Sequence, residues 1–213
     1  MTGVGWAVVI PVKPADRGKS RLRVDGLDEI GRITLARAIA LDTIAAAAAC
    51  AEVAQVLVVT EDASLPLLAA DIPGLRFVAE GDARGIDEAV AAGAAAAGER
   101  MPRAALLGDL PALRSEDLGA ALVAASAVDH GVVADAEGTG STLVTARPGA
   151  PWTSAFGQDS FARHVALGCV PLQVPDASTL RRDVDTADQL DEAALTGLGE
   201  RTARALGGAR RAV

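Results

Sequence analysis

A cluster of cationic side chains near the N-terminus is the first feature of this sequence that could do chemistry. Its four members fall within nine residues and are Lys13, Arg17, Lys19 and Arg21. Gly18 lets the backbone approach a ligand closely, and Ser20 adds a hydroxyl group. This composition is typical of a loop that binds a polyphosphate. The candidate contacts to a nucleotide in this loop are Lys13, Lys19, Ser20 and Arg21.

The loop follows a short apolar run, Trp6 to Ile10, which predicts a strand that is buried on both faces. It is not a P-loop, because that motif needs a glycine five residues before its Gly-Lys-Ser and this chain has Lys13 there. A solvated basic turn is the alternative interpretation. Agreement with the acidic segments farther along the chain favours phosphate binding.

The composition limits the classes of protein to which the chain can belong. Its 213 residues are 50% hydrophobic but include only two Trp, three Phe and no Tyr, so small aliphatic side chains must build the core. The net charge of −8 argues against binding of nucleic acid or of anionic membranes. Cys50 and Cys169 lack metal-type spacing, which predicts reduced thiols in a cytoplasmic protein. We expect no membrane span and no targeting segment.

Strands and helices alternate along the sequence. The predicted strands of the first half end at Ile10, Thr60, Val78 and Leu107. Helices are predicted at about residues 30–50, 64–70, 86–97, 159–167 and 187–195, and one more starts at a Ser115 cap. This pattern predicts an α/β fold with a mainly parallel sheet flanked by helices, whose strand-end loops converge on one crevice. We expect one domain over residues 1–196 and a polar, Arg-rich tail, 197–213, that frays or docks.

Three acids are placed to bind a metal ion at this crevice. Asp109 directly follows a predicted strand and precedes a Leu-Pro turn, and Mg²⁺ is commonly held by one or two carboxylates beside substrate phosphates. Turn formation is the alternative role for this residue. Asp183 and Asp185 would point to the same side of an extended segment, where a cation would relieve their repulsion. Arg181 and Arg182 could instead neutralise them.

Two turns of small residues, 138–142 (GTGST) and 156–160 (FGQDS), offer hydroxyl groups and backbone amides to an anion. Ser160 lies at the predicted start of a helix, a position that suits either a phosphate or an ordinary cap. His164 follows on the same helical face, and its alternatives are a substrate contact and a packing role. Neither His130 nor His164 has a Ser or Cys partner arranged as a catalytic triad.

Five segments together carry a resemblance to a known family: PVKP…GKSRL, GDLPAL, GTGST, FGQDSFARH and RDVDT. In this order and at these intervals, over nearly the whole chain, they resemble the CofC/FbiD family, the guanylyltransferases of coenzyme F-420 biosynthesis. The resemblance implies a single Rossmann-like nucleotidyltransferase domain over residues 1–196, similar to the fold of the molybdenum-cofactor guanylyltransferase.

The resemblance also implies the reaction. Family members move GMP from GTP onto a phosphorylated three-carbon acid and release pyrophosphate, with Mg²⁺ as cofactor. The acid is phosphoenolpyruvate in actinobacterial members and 2-phospho-L-lactate in archaeal ones, and the Ala- and Arg-rich composition favours phosphoenolpyruvate. The alternatives are 3-phosphoglycerate, a molybdopterin or a sugar phosphate as acceptor, and a silent GTP-binding module. We also expect a handover of the product to the next transferase of the pathway.

The resemblance assigns residues to the metal and to the acceptor. The magnesium-binding acids of the family correspond to Asp109, Asp183 and Asp185. The positions that contact the phosphorylated acid correspond to Ser141, Gly157 and Ser160. Family members often carry Thr where this chain has Ser141, so Thr142 is the alternative hydroxyl at this position.

The nucleotide side of the predicted site uses the loops that follow the strands. Besides the cationic loop, its candidates are Thr60, Gly85 and Asp87. Family members have Gly-Leu-Asn where this chain has 85–87, Gly-Ile-Asp. We expect no general base, because the acceptor's phosphate is already an anionic nucleophile at neutral pH. Catalysis would depend on Asp109 for the metal and on Lys19 and Arg21 for the departing pyrophosphate.

Overall fold

The computed structural model describes residues 5–15, 22, 24 and 27–209. Within them the chain forms one seven-stranded sheet with helices packed on both faces. The predicted α/β fold with a mainly parallel sheet is therefore confirmed. The predicted phosphate-loop residues Lys19, Ser20 and Arg21 lie outside the described residues, so their roles stay predictions.

The strands are β1 (Trp6–Pro11), β2 (Val53–Val59), β3 (Leu75–Val78), β4 (Arg103–Leu106), β5 (His130–Ala134), β6 (Ser141–Ala146) and β7 (Val170–Pro171). Their order in the sheet is β3-β2-β1-β4-β6-β5-β7. The neighbours from β3 to β4 pair in parallel, as do β5 and β7. β6 runs antiparallel to both of its neighbours, β4 and β5. The first residue of β6 therefore lies at the same edge of the sheet as the carboxyl ends of β4 and β5.

The helices are α1 (Glu29–Ala48), α2 (Leu65–Leu68), α3 (Ile86–Ala97), α4 (Ser115–Ala125), α5 (Ser160–Ala166), α6 (Ala187–Thr196) and α7 (Glu200–Ala209). A 3₁₀ turn at Thr179–Arg181 precedes α6. The predicted bounds of α3 are those observed, because a glycine lies directly before the helix and another directly after it. Among the helices described, none is both long enough and apolar enough to cross a membrane.

The two faces of β1 are buried in different parts of the core, as its continuous apolar sequence predicts. Val8 belongs to a cluster with Ile44 of α1, whereas Val9 belongs to a cluster with Ala89 of α3. The helix α3 lies close to the sheet because Gly93 has no side chain, and a Cβ atom there would clash with Val9. Small residues thus allow close packing in a chain that has few aromatic side chains.

The helix starts agree with the sequence prediction at α1 but not at α4. Asp28 caps α1, and its Oδ1 accepts a hydrogen bond of 2.8 Å from the N–H of Gly31. The predicted cap Ser115 is wrong, since it is already the first residue of α4 and the capping position belongs to Arg114. The Arg114 N–H donates to the hydroxyl of Thr179 at 2.9 Å, a residue 65 positions away in sequence. The N-cap side chain of α4 thus makes no capping hydrogen bond, and a tertiary contact satisfies the backbone N–H of Arg114.

The segment after Gly197, predicted to fray or dock, contains the docked helix α7. Its first amides bind the buried carboxylate of Asp42 in α1: the Arg201 N–H donates at 3.1 Å and the Thr202 N–H at 2.7 Å. A negative acceptor suits the N-terminus of a helix. Gly199 permits the approach, because a Cβ atom there would clash with Asp42. One acid of α1 thus holds the C-terminal helix.

We expect Asp42→Ala to destabilise the protein, because two N–H groups of α7 lose a charged acceptor. The free energy of unfolding should fall by about 1.5–3 kcal/mol. The melting temperature should fall by roughly 3–12 °C, measured by thermal denaturation. Asp71→Ala is the matched control, since it removes only the exposed 2.6 Å ion pair with Arg201 and should change the free energy by less than about 1 kcal/mol. Equal effects of the two substitutions would contradict the docking role of Asp42.

Candidate active site

A cleft of about 340 Å³ opens at the carboxyl ends of β1 and β4. Its lining includes Lys13 after β1, Gly85 before α3 and Asp109 after β4. Arg37 of α1 and Asp185, which precedes α6, also line it. The sequence predicted that the loops after the strands converge here. The structure brings four of the predicted site residues to one cleft, namely Lys13, Gly85, Asp109 and Asp185.

Thr60, predicted to contact a nucleotide, joins two loops of this cleft. Its hydroxyl donates to the carbonyl of Val12 at 2.6 Å and accepts from the N–H of Asp62 at 3.0 Å. Both partners are backbone groups, and Thr60 is largely buried. The residue therefore fixes the loop that carries Lys13 beside the loop that follows β2.

An ion pair that sequence reasoning missed lies in the cleft. Arg37 Nε and Nη2 donate to the two carboxylate oxygens of Asp62, at 3.0 and 3.3 Å. Burial alone would raise the pKa of Asp62, but hydrogen bonds from Arg37 and Ser64 lower it below the ordinary value. The charged carboxylate thus orients the guanidinium, which adds a cation to the cleft near Lys13. No local pattern signals this pair, since its members are 25 residues apart.

Carboxylates crowd together beside the cleft. Burial and the negative charges of Asp109 and Asp135 raise the pKa of Asp183 to about 8. The Oδ1 atom of Asp183 is buried and has no hydrogen-bond partner among the described residues. One carboxylate oxygen each from Asp135, Glu137 and Asp183 lies within 4.8 Å of the other two. A group of oxygen ligands with an unsatisfied buried carboxylate fits a divalent cation.

A backbone hydrogen bond fixes the predicted metal ligands relative to one another. The N–H of Val184 donates to the carbonyl of Asp109 at 3.0 Å. Val184 is fully buried, so the residues before and after it, Asp183 and Asp185, direct their side chains away from that part of the core. Asp185 lines the same cleft as Asp109, and the charges of both raise the pKa of Asp183 after the effect of burial. The structure therefore brings the three predicted acids together.

Sequence reasoning missed two acids of this group, Asp135 and Glu137. They belong to a Gly-rich turn whose sequence indicates only a chain reversal. The neighbouring arginines bind other groups than the carboxylates of Asp183 and Asp185: Arg181 pairs with Asp176 and donates to the backbone carbonyl of Asp135, and Arg182 donates to the carbonyl of Asp176. We call the following residues the acidic cluster: Asp109, Asp135, Glu137, Asp183 and Asp185.

The Asp135 carboxylate also shapes the turn that leads to the predicted acceptor side. It accepts hydrogen bonds from the N–H of Thr139 at 2.9 Å and from the N–H of Gly140 at 2.6 Å. A Cβ atom on Gly140 would clash with this carboxylate. Ser141, the first residue of β6, is thereby held next to the acidic cluster.

The predicted acceptor residues Ser141 and Ser160 are both buried next to His164. Ser141 Oγ lies 3.0 Å from His164 Nδ1, and Ser160 is one turn before His164 in α5. Gly157 accepts from the N–H of Ser160 at 3.1 Å and has a φ of 111°, which favours glycine. Thr142 is also fully buried, and its hydroxyl has no hydrogen-bond partner in the described part of the chain. The predicted acceptor residues thus lie around the start of α5 and β6.

Asp87, predicted on the nucleotide side, contacts the acceptor side. It lies in the first turn of α3, after Gly85, whose φ of 116° sets the entry into the helix. Its Oδ1 accepts from the N–H of Phe156 at 2.9 Å. Asp87 therefore ties α3 to the loop before α5, and its contact with a nucleotide stays a prediction.

Comparison with known proteins agrees with this geometry. The model of the family described as "Guanylyl transferase CofC like" matches residues 6–210. The chain belongs to this family. It is 46% identical over 203 residues to the phosphoenolpyruvate guanylyltransferase of Thermomonospora curvata. The match covers 93% of this chain and 87% of that protein. A protein of the same name from Streptomyces coelicolor is 45% identical over 201 residues and covers 93% of this chain and 94% of that one.

Solved structures share the fold of this chain. A nucleotidyl transferase from Methanothermobacter thermautotroptrophicus has a TM-score of 0.58 at 16% identity and covers 92% of this chain and 100% of that one. A 4-diphosphocytidyl-2C-methyl-D-erythritol synthase has a TM-score of 0.57 at 16% identity, with 92% and 99% covered. These likenesses concern the fold alone. The predicted family and the predicted nucleotidyltransferase fold are confirmed, and the protein is a nucleotidyltransferase.

The raised pKa of Asp183 predicts that the stability of the metal-free protein depends on pH. Between about pH 4 and about pH 8 the folded state keeps a proton on Asp183 that the unfolded state releases. The free energy of unfolding should therefore fall as the pH rises through this window. Asp183→Asn removes this titration. At about pH 8 with a chelator, the variant should melt above wild type, by roughly 2–4 °C for each kcal/mol recovered.

This prediction is checked by thermal denaturation between about pH 5 and pH 8, with and without Mg²⁺. Asp191→Asn, at an exposed position of α6, is the control and should follow wild type. Added Mg²⁺ should raise the melting temperature of wild type more at high than at low pH, because the cation must displace a proton. Parallel pH curves for wild type and Asp183→Asn would contradict the prediction.

Proposed function

We propose that this protein transfers a guanylyl group from GTP to phosphoenolpyruvate and releases pyrophosphate. The product is enolpyruvyl-2-diphospho-5′-guanosine, for coenzyme F-420 biosynthesis. The observation that carries the proposal is the position of the acidic cluster. It borders both the cleft that contains Lys13 and Arg37 and the turn that leads to Ser141. The names of the two bacterial relatives support phosphoenolpyruvate as the acceptor.

The transfer is a displacement at phosphorus. An oxygen of the acceptor's phosphate attacks the α-phosphorus of GTP, the bond from that phosphorus to the β-phosphate's bridging oxygen breaks, and pyrophosphate leaves with the electron pair. The acceptor's phosphate is ionised at neutral pH, so the step needs no general base. In agreement, both ring nitrogens of His164 are occupied by protein partners. The barrier that remains is repulsion between the two anions.

Cations of the cleft are the groups of this chain that offset the negative charge of GTP. Lys13 and the oriented guanidinium of Arg37 line the space where we place the triphosphate. Lys19 and Arg21 are proposed to stabilise the departing pyrophosphate, with Ser20 as a further contact. Thr60 supports this arrangement because it holds the loop of Lys13 in place.

We propose that Mg²⁺ binds at the acidic cluster, held by Asp109, Asp183 and Asp185. Support comes from the buried, unsatisfied Oδ1 of Asp183 and from its raised pKa, both of which a cation would relieve. Asp135 and Glu137 lie close enough to contribute oxygen ligands. When bound, the metal ion would supply positive charge to the phosphates of both substrates.

The acceptor is proposed to bind where Ser141, Gly157 and Ser160 come together. The hydroxyl of Thr142, which is buried and unsatisfied among the described residues, is the alternative contact. Small residues with hydroxyl and amide donors suit a compact acid that carries both a phosphate and a carboxylate. We place the reaction in the cytoplasm, in agreement with the two free, buried cysteines. A handover of the product to the next transferase is a further part of the proposal.

The function is tested by measuring pyrophosphate release from GTP and Mg²⁺ with different acceptors. We expect release that depends on phosphoenolpyruvate and exceeds release with 2-phospho-L-lactate, 3-phosphoglycerate or a sugar phosphate. Greater release with one of the others would replace the acceptor and keep the guanylyl transfer. If folded protein that binds GTP by calorimetry releases no pyrophosphate with any of these acceptors, the enzymatic proposal is contradicted and a GTP-binding module is favoured.

Asp109→Asn should reduce turnover by roughly 100-fold or more, because it removes a proposed metal ligand worth several kcal/mol in the transition state. Its melting temperature, measured in the metal-free state, shows whether the variant is folded. Asp129→Asn is the matched control, because Asp129 is an exposed acid paired with Arg147 at 2.7 Å. Turnover near that of wild type in purified Asp109→Asn protein would be incompatible with the metal assignment.

A further inference from the structure

His164 is a fully buried imidazole with a protein partner at each ring nitrogen. Nδ1 lies 3.0 Å from Ser141 Oγ, and Nε2 lies 2.8 Å from the backbone nitrogen of Ala155. The ring of Phe156 packs edge-on against it, with 5.0 Å between the ring centroids. The side chain thus connects the start of β6 with the loop before α5.

These partners determine which nitrogen of His164 carries the proton. A backbone N–H can only donate, so Nε2 must accept from Ala155 through its lone pair. Burial lowers the pKa of His164, although the charge of Asp87 acts in the opposite direction, and the ring is neutral at physiological pH. A neutral imidazole without a proton on Nε2 carries it on Nδ1. The Nδ1–H group therefore faces Ser141 Oγ, which cannot donate to it, and the backbone carbonyl of Ser160 is a second acceptor for this group.

The direction of that hydrogen bond determines what Ser141 can do. Its oxygen accepts from His164, so its own hydroxyl hydrogen must point to a different acceptor. Ser141 follows the turn held by Asp135, at the edge of the sheet that carries the acidic cluster. An anion bound at Ser141 would be a suitable acceptor for this hydroxyl group.

The second ring nitrogen, Nε2, binds the loop before α5. Nε2 holds the N–H of Ala155, and Asp87 Oδ1 holds the next one, that of Phe156, at 2.9 Å. The carbonyl of Phe156 accepts from Arg163 Nη1 at 3.2 Å. Two consecutive amides and a carbonyl are thus fixed directly before Gly157. One buried imidazole therefore positions both Ser141 and the loop that presents Gly157.

We propose that His164 is a positioning residue for the acceptor, whose Nδ1–H makes the Ser141 hydroxyl a permanent hydrogen-bond donor toward the phosphorylated acid. Phosphate and carboxylate oxygens only accept hydrogen bonds. A serine hydroxyl whose oxygen already accepts from His164 is left to donate its hydrogen to such an oxygen. The inference rests on the proposed function, because it takes Ser141 as part of the acceptor site.

Two substitutions separate the two contacts of His164. His164→Asn keeps an N–H group near the position of Nδ1, whereas His164→Gln keeps an acceptor near the position of Nε2. We expect His164→Gln to raise the KM for phosphoenolpyruvate by roughly tenfold and His164→Asn to raise it by only about twofold. The KM for GTP should stay unchanged in both variants. The reverse order for phosphoenolpyruvate, or equal changes for both substrates, would overturn the proposal.

A double-mutant cycle shows whether His164 acts through Ser141. Ser141→Ala should raise the KM for phosphoenolpyruvate by roughly tenfold or more, because a hydrogen bond to a charged group is lost. Adding His164→Gln to Ser141→Ala should change it by less than about twofold, since the group that His164 orients is then absent. Independent, multiplicative effects of the two substitutions would overturn the proposal. Melting temperatures measured for all variants identify any that are merely unfolded.

Nitrogen NMR of the wild-type protein tests the inference without any activity measurement. The chain has two histidines, so the imidazole signals of His164 and His130 can be assigned with the His164→Asn protein. We expect His164 to be neutral and protonated on Nδ1 at about pH 7.4, because Nε2 accepts from the N–H of Ala155. A proton on Nε2, or a charged ring, would overturn the proposal. If wild type shows no acceptor-dependent turnover while this tautomer is present, the proposed function fails and the tautomer assignment stands.

Discussion

Repulsion between carboxylates is the constraint on which the rest of the site depends. Burial first, and then the charges of Asp109, Asp135 and Asp185, raise the pKa of Asp183 to about 8, so that it keeps its proton at neutral pH in the metal-free protein. The positions of Asp109, Asp183 and Asp185 are fixed by the buried side chain of Val184 and by its backbone bond to Asp109. Packing of Val184 in the core thus holds the acids close together, at a position where a charge on Asp183 is unfavourable and a bound cation would relieve it. Such preorganisation avoids rearrangement during the reaction.

The reversed strand β6 explains how one edge of the sheet can serve two substrates. In a fully parallel sheet, only the residues after the strands would reach the edge that contains Asp109. Because β6 runs against β4 and β5, its first residue, Ser141, lies at that edge too. Asp135, at the end of β5, bridges the two regions, since it holds the turn before Ser141 and contributes to the acidic cluster.

The sequence predicted those parts of the fold and site that depend on local patterns. The apolar run of β1, the helix α3 and the family motifs that contain Asp109 and Asp183 are of this kind. The direction of β6 was not predictable, because an apolar run indicates a strand but not its orientation. Asp135 and the contact of His164 with Ser141 were missed since both depend on how distant segments meet. The roles of Lys19 and Arg21 stay predictions.

A small hydrophobic cluster separate from the main core couples the two ends of the active site. Val184 packs in it with Leu35 of α1 and Leu22, the buried residue that follows the cationic loop, and Leu206 of α7 lies against it. Local opening of this cluster would release the acids together with Leu22, which follows the predicted phosphate-binding loop. Amide hydrogen exchange in the two segments should therefore occur as one cooperative event. Nucleotide and metal binding would each slow exchange in the segment that holds the other, in addition to any direct contact between the ligands.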